Sequence, residues 1–163
     1  MPNEQRMLSI RRASADDAQE ICTLHRASIR QLCGSAYSPE QIAGWIKPLT
    51  PDRYLPAIEQ LEFYVAENNG LLGFFILNLE DAELKAIYIH PNAAGCGVGK
   101  RLFQFAERLA IDNSLTQLTL KSTLNAVGFY ESCGFSLVCE STHESPSGVD
   151  LPCMEMKKAL ERK

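Results

Sequence analysis

A glycine-rich run in the middle of the chain is the segment best suited to chemistry. Gly95, Gly97 and Gly99 alternate with Cys96 and Val98, directly after a predicted strand and directly before an amphipathic helix. Glycines let a backbone approach a ligand closely and turn its N–H groups toward it. A helix N-terminus adds the positive end of its dipole. The run therefore predicts a site for a phosphate-bearing ligand.

Two common nucleotide-binding patterns do not fit this run. A GxxxxGK[ST] loop ending at Gly99 and Lys100 would need glycine at Ala94 and Ser or Thr at Arg101. The GxGxxG dinucleotide pattern would place its third glycine at Lys100, and no early β-α-β unit precedes it. A turn that merely joins a strand to a helix stays open as the alternative.

Hydrophobic periodicity and turn residues predict the elements around the run. A strand over 7–13 comes first, then a helix that Ser14 caps and that runs to about Cys33, then a helix that begins at Ser38 and Pro39. Residues 47–60 are predicted to be an irregular connector with about one helical turn. The remaining predicted elements are a hairpin over 62–67 and 71–80, a strand over 82–90, the helix after the glycines, a strand over 116–122, a short helix over 125–132, and strands over 135–141 and 149–157.

Strands interleaved with helices, together with a central hairpin, predict an α/β chain of mixed (α+β) type. We expect a mixed, mostly antiparallel sheet of six or seven strands flanked by about four helices. The 163 residues are 45% hydrophobic and 22% charged, with no repeat or linker, so one domain over 1–163 is expected.

The composition also limits the kinds of binding partner and the cellular location that we expect. The net charge of −4 argues against nucleic-acid binding, which needs a basic face. The longest apolar run, residues 71–79, is too short to cross a bilayer. The first residues show no secretory signal, and the six cysteines form no CxxC or zinc-like spacing. We therefore expect a cytoplasmic protein with reduced, mostly buried thiols, no metal and no membrane partner.

Two stretches together resemble the GCN5-related N-acetyltransferases (GNAT). A strand ending in Ile-His-Pro precedes residues 94–99, which are similar to the family's (R/Q)xxGxG loop for the acetyl-CoA pyrophosphate. The sequence LNAVGFYESCGF, over 124–135, resembles a later family motif, and the predicted order of elements agrees over nearly the whole chain. The resemblance implies the GNAT fold. It also implies acetyl transfer from acetyl-CoA to a primary amine of a small molecule or peptide, by direct attack in a ternary complex.

Two positions depart from the family pattern. Ala94 stands where relatives have Arg or Gln, so charge at the pyrophosphate would come from Lys100 and Arg101. Thr123 stands where many relatives have an asparagine that contacts the pantetheine arm, which leaves Asn125 as the candidate for that contact. The cofactor-binding residues that the resemblance implies are Ile87, Tyr88, Ile89, Gly95, Cys96, Gly97, Val98, Gly99, Lys100, Arg101, Asn125 and Tyr130.

The resemblance also implies two catalytic residues. Glu83 is the expected general base, on one strand face with Lys85, Ile87 and Ile89 if no bulge intervenes. Its alternatives are a solvated carboxylate without a role, or His90 as the base. Tyr130 is the expected hydrogen-bond donor to the leaving thiolate, and its alternative is a tyrosine that packs a short helix onto the sheet.

The acceptor pocket is expected from residues 31–45 and 142–150. Tyr37 and Trp45 could pack a substrate cation, and Arg30 could hold a substrate carboxylate. His25, on the apolar face of the first helix, is expected to be a hydrogen-bonded core histidine. The sequence leaves open the identity of the amine, a homodimer by analogy with similar folds, and a non-catalytic acetyl-CoA-binding sensor as the competing function.

Overall fold

One sheet of seven strands organises residues 8–161, the part of the chain that the computed structural model describes. The strand order is β1-β2-β3-β4-β5-β7-β6, and neighbours are antiparallel except for β4 and β5, which are parallel. The strands are β1 (Ser9–Arg12), β2 (Glu62–Glu67), β3 (Leu71–Asn78), β4 (Glu83–Ile89), β5 (Gln117–Thr123), β6 (Ser136–Glu144) and β7 (Asp150–Ala159). The α-helices are α1 (Ala18–Leu32), α2 (Pro39–Ile46), α3 (Leu55–Gln60), α4 (Val98–Asp112) and α5 (Val127–Ser132). The predicted mixed α/β architecture is confirmed.

The first two predicted helix starts are confirmed by their caps. The Ser14 N–H donates to Asp17 Oδ2 over 2.8 Å, which begins a short 3-10 turn that leads into α1. At α2 the Ser38 hydroxyl accepts the Gln41 N–H over 3.1 Å, while Gln41 Oε1 accepts the Ser38 N–H over 2.9 Å. This reciprocal pair satisfies two backbone donors at the helix end. Met7, the first residue of the predicted strand 7–13, lies outside the described residues.

The connector over 47–60 is more helical than predicted. It contains a 3-10 helix (Pro51–Tyr54) and α3, and both carry proline in their first turn. Proline is tolerated there because those backbone N–H groups have no helical acceptor in any case. The prolines thus begin helices in a segment that was interpreted as irregular. The late strands also run further than predicted, because β6 continues to Glu144 and β7 to Ala159.

The two faces of the sheet are covered by different helices. Phe75 and Leu77 of β3 pack beneath α4 and α5 with Leu102. Phe74, the neighbour of Phe75 in sequence, packs on the opposite face against Leu24 of α1. This alternation along β3 is the two-residue period of a strand that is buried on both sides.

No helix in residues 8–161 is long and apolar enough to cross a membrane.

A β-bulge interrupts β4. Ile76 lies opposite Ala86, and Leu77 lies opposite Leu84, so Lys85 is an extra residue without a partner on β3. An extra residue reverses the alternation of side chains on one side of the bulge. The simple two-residue period expected along this strand is therefore wrong for the positions before Lys85.

β6 is an edge strand that is exposed on both faces. Eight of its nine residues are exposed to solvent, and the relative accessible surface of Leu137 and Val138 is 49% and 51%. A second irregularity, between Leu137 and Cys139, shifts its register with β7. The strand is therefore held mainly by its backbone ladder.

His25 fits the core less completely than expected. Its Nδ1 lies 2.8 Å from the Tyr54 hydroxyl, and its ring centroid lies 4.1 Å from that of Tyr88. The residue keeps some exposed surface, but Nε2 is inaccessible and has no hydrogen-bond partner in the described chain. Burial lowers the pKa of His25 to about 3, because desolvation disfavours the imidazolium.

The buried neutral His25 should make stability depend on pH. Unfolded histidine binds a proton near pH 6.5, whereas folded His25 stays neutral down to about pH 3, so its contribution is complete above pH 6.5 and is lost as pH falls. We expect the wild-type free energy of unfolding to fall by about 1.6 kcal/mol more than that of His25→Gln between pH 6.5 and 5. Urea unfolding of both proteins at each pH measures the difference, and equal slopes would contradict the assignment.

Candidate active site

A gap in the sheet between β4 and β5 forms the main candidate site. The two parallel strands are bridged at Glu83 and Thr119, where the Thr119 N–H donates to the Ala82 carbonyl over 3.0 Å. Past this bridge no further pairing joins them in the described chain. A cavity of about 660 Å³ lies there, lined by residues of β4, β5, the glycine-rich loop, α1 and α5. That volume is typical of a site for a small molecule or cofactor.

The cavity-facing edge of β4 has free backbone groups. The His90 N–H donates to the Leu72 carbonyl on the β3 side over 2.8 Å. Because hydrogen-bonded pairs alternate along an antiparallel ladder, the N–H and C=O groups of Ile87 and Ile89 point the other way, toward β5. The strands have already separated at this level. Ile87 and Ile89 therefore offer an unpaired strand edge to whatever enters the cavity.

The glycine-rich loop forms an open cradle at one end of the cavity. Gly95 and Gly97 have φ values of 78° and 85°, in the left-handed region that favours glycine. No heavy atom lies within 4 Å of the position that a Cβ would take at either residue. The first bond of α4 runs from the Arg101 N–H to the Gly97 carbonyl over 3.1 Å, so the N–H groups of 98–100 have no acceptor within the helix. Such a cradle suits an anion.

Close packing fixes the cradle in place. A Cβ on Gly99 would lie 3.2 Å from a ring carbon of Phe129 in α5. A Cβ on Gly73 of β3 would lie 2.9 Å from the Tyr88 carbonyl and 3.0 Å from the Leu102 side chain of α4. Glycine at these two positions lets α4 lie close to β3 and α5. The beginning of α4 is thereby held directly above the end of β4.

Most of the residues expected from the sequence come together at this cavity. The predicted residues that line it are Ile87, Tyr88, Ile89, Gly95, Gly97, Gly99, Lys100, Asn125 and Tyr130. Four others are not among its lining residues in the described chain. Cys96 is exposed and its N–H donates to the Ala93 carbonyl over 3.2 Å, Val98 is buried in the core, and Arg101 is exposed. Glu83 lies at the bridge to β5.

Tyr130 and Tyr88 bring two phenols to the cavity wall. Tyr130 is 7% exposed and packs edge-on against Phe129 and Phe135, at centroid distances of 5.1 and 5.7 Å. Burial raises the pKa of the Tyr130 phenol above its ordinary value, and burial raises that of Tyr88 as well. Both hydroxyls stay protonated at neutral pH and can donate hydrogen bonds. Tyr130 thus both packs α5 onto the sheet and reaches the cavity.

The bulge in β4 moves Glu83 to the other face of the sheet from the one expected. Leu84 lies beneath α4 with Ile87 and Ile89, so Glu83 lies on the α1 face with Tyr88. Its side chain is 28% exposed, and one carboxylate oxygen lies 3.5 Å from Lys85 Nζ. Glu83 therefore sits where the gap between β4 and β5 closes, at the end opposite the glycine cradle.

Comparison with known proteins agrees with this geometry. The family model for the acetyltransferase (GNAT) domain matches residues 33–158. The chain belongs to the GNAT family. Peptidyl-lysine N-acetyltransferase YjaB of Salmonella typhimurium is 29% identical over 138 residues, which cover 83% of this chain and 88% of that protein.

Solved structures share the fold of this GNAT chain. A GCN5-related N-acetyltransferase structure from Rhodopseudomonas palustris has a TM-score of 0.88 at 25% identity, covering 93% of this chain and 95% of that one. The PaiA N-acetyltransferase of Thermoplasma acidophilum, in complex with coenzyme A, has a TM-score of 0.76 at 24% identity, with 93% and 98% covered. Family and relatives together identify this chain as an acetyltransferase enzyme.

Two contacts that the sequence did not predict close one side of the cavity. Cys33, which follows the end of α1, and Asn125, in the turn before α5, both line the cavity. The Tyr37 hydroxyl donates to the Pro152 carbonyl over 2.6 Å and accepts the Leu124 N–H over 3.1 Å. The connector between α1 and α2 is thus tied across the gap to β7 and to the turn before α5. These hydrogen bonds join residues that are far apart in the sequence, so no local sequence pattern predicts them.

These contacts change the roles expected for three residues. Tyr37 is 5% exposed and packs edge-on against Trp45 at 5.4 Å, so both rings belong to the core and are not free to hold a substrate cation. His90 Nδ1 accepts the Asn92 N–H over 3.1 Å and so shapes the turn before the glycines. Because that bond uses the lone pair of Nδ1, a neutral His90 ring carries its proton on Nε2 and has no second lone pair with which to act as a base.

The double hydrogen bond of Tyr37 should stabilise the fold. In Tyr37→Phe the Leu124 N–H and the Pro152 carbonyl lose a shared partner, and we expect the free energy of unfolding to fall by about 1–3 kcal/mol. Urea unfolding measures the loss. The matched control is Tyr64→Phe, because the Tyr64 hydroxyl makes no hydrogen bond within residues 8–161. A loss no larger than that of the control would show that the connector does not depend on this hydroxyl.

Proposed function

We propose that this GNAT chain transfers an acetyl group from acetyl-CoA to the side-chain amine of a lysine in a protein or peptide, by direct attack in a ternary complex. One observation carries the proposal: a single cavity joins the glycine cradle to the unpaired edge of β4. The relative YjaB is named as a peptidyl-lysine N-acetyltransferase, which supports the acceptor class. The fold of a Salmonella typhimurium structure that holds acetyl-CoA supports the donor.

The residues around the cradle fit the phosphates of acetyl-CoA. The free N–H groups at the start of α4 face an open space, and Lys100 adds a cation at the cavity wall. Ala94 also lines the cavity, and its methyl group offers no donor where relatives carry Arg or Gln. Backbone N–H groups and Lys100 therefore provide the anion binding here. The cradle is open to solvent, so a larger side chain at residue 94 would have room.

The edge of β4 would hold the rest of the cofactor. The amides of a pantetheine arm can pair with Ile87 and Ile89 as an added strand would. An acetyl-CoA bound in this way supplies an acyl group activated on sulfur. The N–H of Ile87 or Ile89 then lies in position to donate to the carbonyl oxygen as negative charge develops on it. With the phosphates in the cradle and the pantetheine arm along β4, the acyl end would lie near the narrow end of the gap.

Glu83 and Tyr130 supply the proton chemistry in this proposal. A lysine amine has a pKa of about 10.4 and is mostly protonated at neutral pH, so it must lose a proton before attack. Glu83, at the bridge where the gap closes and on the α1 face, can accept that proton through water. The Tyr130 hydroxyl can hydrogen-bond to the departing sulfur. Because a phenol is a weaker acid than a thiol, Tyr130 stabilises the thiolate without fully protonating it.

The competing hypothesis, a sensor that binds acetyl-CoA without catalysis, is not favoured. It rested on the missing Arg or Gln at Ala94, whereas Glu83 and Tyr130 are both retained. The proposed reaction uses no metal. A cytoplasmic location and a homodimer stay predictions from the sequence and from similar folds.

Acetyl-CoA binding should depend on the open space at Gly97. In Gly97→Ala the new methyl group enters the cradle, and we expect the dissociation constant for acetyl-CoA in calorimetric titration to rise at least tenfold. The matched control is Gly148→Ala in the loop between β6 and β7. Both glycines have a φ of 85° and no atom within 4 Å of a Cβ, so both variants carry similar backbone strain of about 1 kcal/mol.

The Gly148→Ala control distinguishes the effect of backbone strain from the effect of a methyl group that fills the cradle. Equal weakening in Gly97→Ala and Gly148→Ala would show that backbone strain alone reduces binding. Unchanged acetyl-CoA affinity in Gly97→Ala would show that the phosphates bind elsewhere.

Removing the carboxylate of Glu83 should slow the chemical step. For Glu83→Gln we expect kcat with a lysine peptide to fall about 100-fold near neutral pH, with little change in acetyl-CoA binding. The defect should shrink as pH rises, because the free amine then becomes neutral without a base. Continuous detection of released thiol measures the rate across pH. The control is Glu80→Gln, an exposed carboxylate close by in sequence. Equal kcat for the wild type and Glu83→Gln at every pH would refute the base assignment.

A further inference from the structure

A second groove lies on the α1 face of the sheet, outside the cavity between β4 and β5. It runs between α1 and α2 and has a volume of about 520 Å³. One wall is the stripe of Pro39, Ile42, Ala43 and Ile46, which are spaced so that they share one face of α2. The groove is therefore a cleft with an apolar wall, open to solvent, between two helices.

Three positively charged side chains also line the groove. Arg26 and Arg30 lie one turn apart on the same face of α1, and Lys47 follows the end of α2. None of the three forms an ion pair with a carboxylate in residues 8–161. No Asp or Glu is among the residues that line the groove in that part of the chain. Three unpaired cations stand together on a protein whose net charge is −4.

The groove and the cavity are separated by one short stretch of backbone. Gly34 of the connector lines the groove, whereas its neighbours Cys33 and Ser35 line the cavity. Tyr37, which ties this connector to β7, also borders the groove. A chain lying in the groove thus passes directly beside the cavity. To reach the cavity from the groove, the side chain of an acceptor lysine has to cross this connector.

We infer that the groove between α1 and α2 binds acidic residues that flank the acceptor lysine, so that the enzyme selects lysines in acidic peptide segments. The inference rests on the proposed function and adds the sequence context of its substrate. Carboxylates complement Arg26, Arg30 and Lys47, and the apolar stripe of α2 contacts the stems of the peptide side chains. An arginine guanidinium can hold a carboxylate by two parallel hydrogen bonds.

The helix geometry sets where the acidic residues belong. Along α1, Arg30 lies about 6 Å and Arg26 about 12 Å from Gly34, at 1.5 Å per residue. An extended peptide advances about 3.3 Å per residue. Acidic residues therefore belong about two and four positions from the lysine. The direction of the bound peptide determines whether they precede or follow it.

The test compares peptides that differ only in charge. One pair carries Asp or Asn at two and four residues before a single lysine, and a second pair carries them after it. We expect kcat/KM to be about fivefold or more higher for the Asp peptide of at least one pair at low ionic strength, with the difference shrinking at 0.3 M salt. In the double variant Arg26→Gln, Arg30→Gln this ratio should fall to near one.

A matched variant removes the same charge from elsewhere. Arg108→Gln, Lys157→Gln deletes two cations on α4 and β7, outside the groove, and should keep the wild-type ratio. Equal kcat/KM for Asp and Asn peptides in both pairs would overturn the groove inference and leave lysine acetylation intact. Loss of the ratio in the matched variant as well would assign it to overall charge and also overturn the inference.

The same assay separates failure of the groove from failure of the proposed function. If no peptide is acetylated, while acetyl-CoA binds and small amines are acetylated, the lysine-peptide acceptor is wrong and the groove inference falls with it. If acetyl-CoA does not bind, the proposed function itself fails.

Discussion

The separation of β4 from β5 after a single bridge is the constraint on which the rest of the structure depends. Two neighbouring strands in a sheet normally satisfy each other's backbone groups along their whole length. Here Ile87 and Ile89 are left with N–H and C=O groups that face a cavity. The fold keeps this unpaired edge because helices on both faces hold β4 through its side chains. The backbone groups that could bind a ligand are available because β4 and β5, in the centre of the sheet, do not pair with each other at this level.

Two sets of close contacts keep that gap in shape. Glycines at 73 and 99 let α4 lie against β3 and α5, which holds the beginning of α4 over the end of β4. On the other side, Tyr37 ties the connector between α1 and α2 to β7 and to the turn before α5. The gap is therefore bordered by elements from distant parts of the chain. We therefore expect a change at Gly73 or Tyr37 to alter the shape of the cavity, although neither is among its lining residues in the described chain.

Local signals in the sequence predicted what depends on local chemistry. Ser14 and Ser38 indicated where helices begin, and the alternating glycines at 95, 97 and 99 indicated the cradle, because caps and left-handed turns need particular residue types. The bulge at Lys85 carries no such signal. The face predicted for Glu83, which assumed a strand without a bulge, was therefore wrong. The proline-rich connector was underestimated because proline in a first helical turn resembles proline in a loop. The hydrogen bonds of Tyr37 depend on tertiary packing and could not be predicted from the sequence.

The edge strand β6 has a consequence for how this sequence can vary. Leu137 and Val138 remain about half exposed, and nearly every other residue of the strand is solvent-facing, so few side-chain contacts fix its register against β7. Substitutions along β6 that keep the backbone extended cost little packing energy. We therefore expect β6 to be the part of the sheet that tolerates the most substitutions without a change in the cavity. As an exposed edge strand, it is also open to unwanted pairing with a strand of another chain.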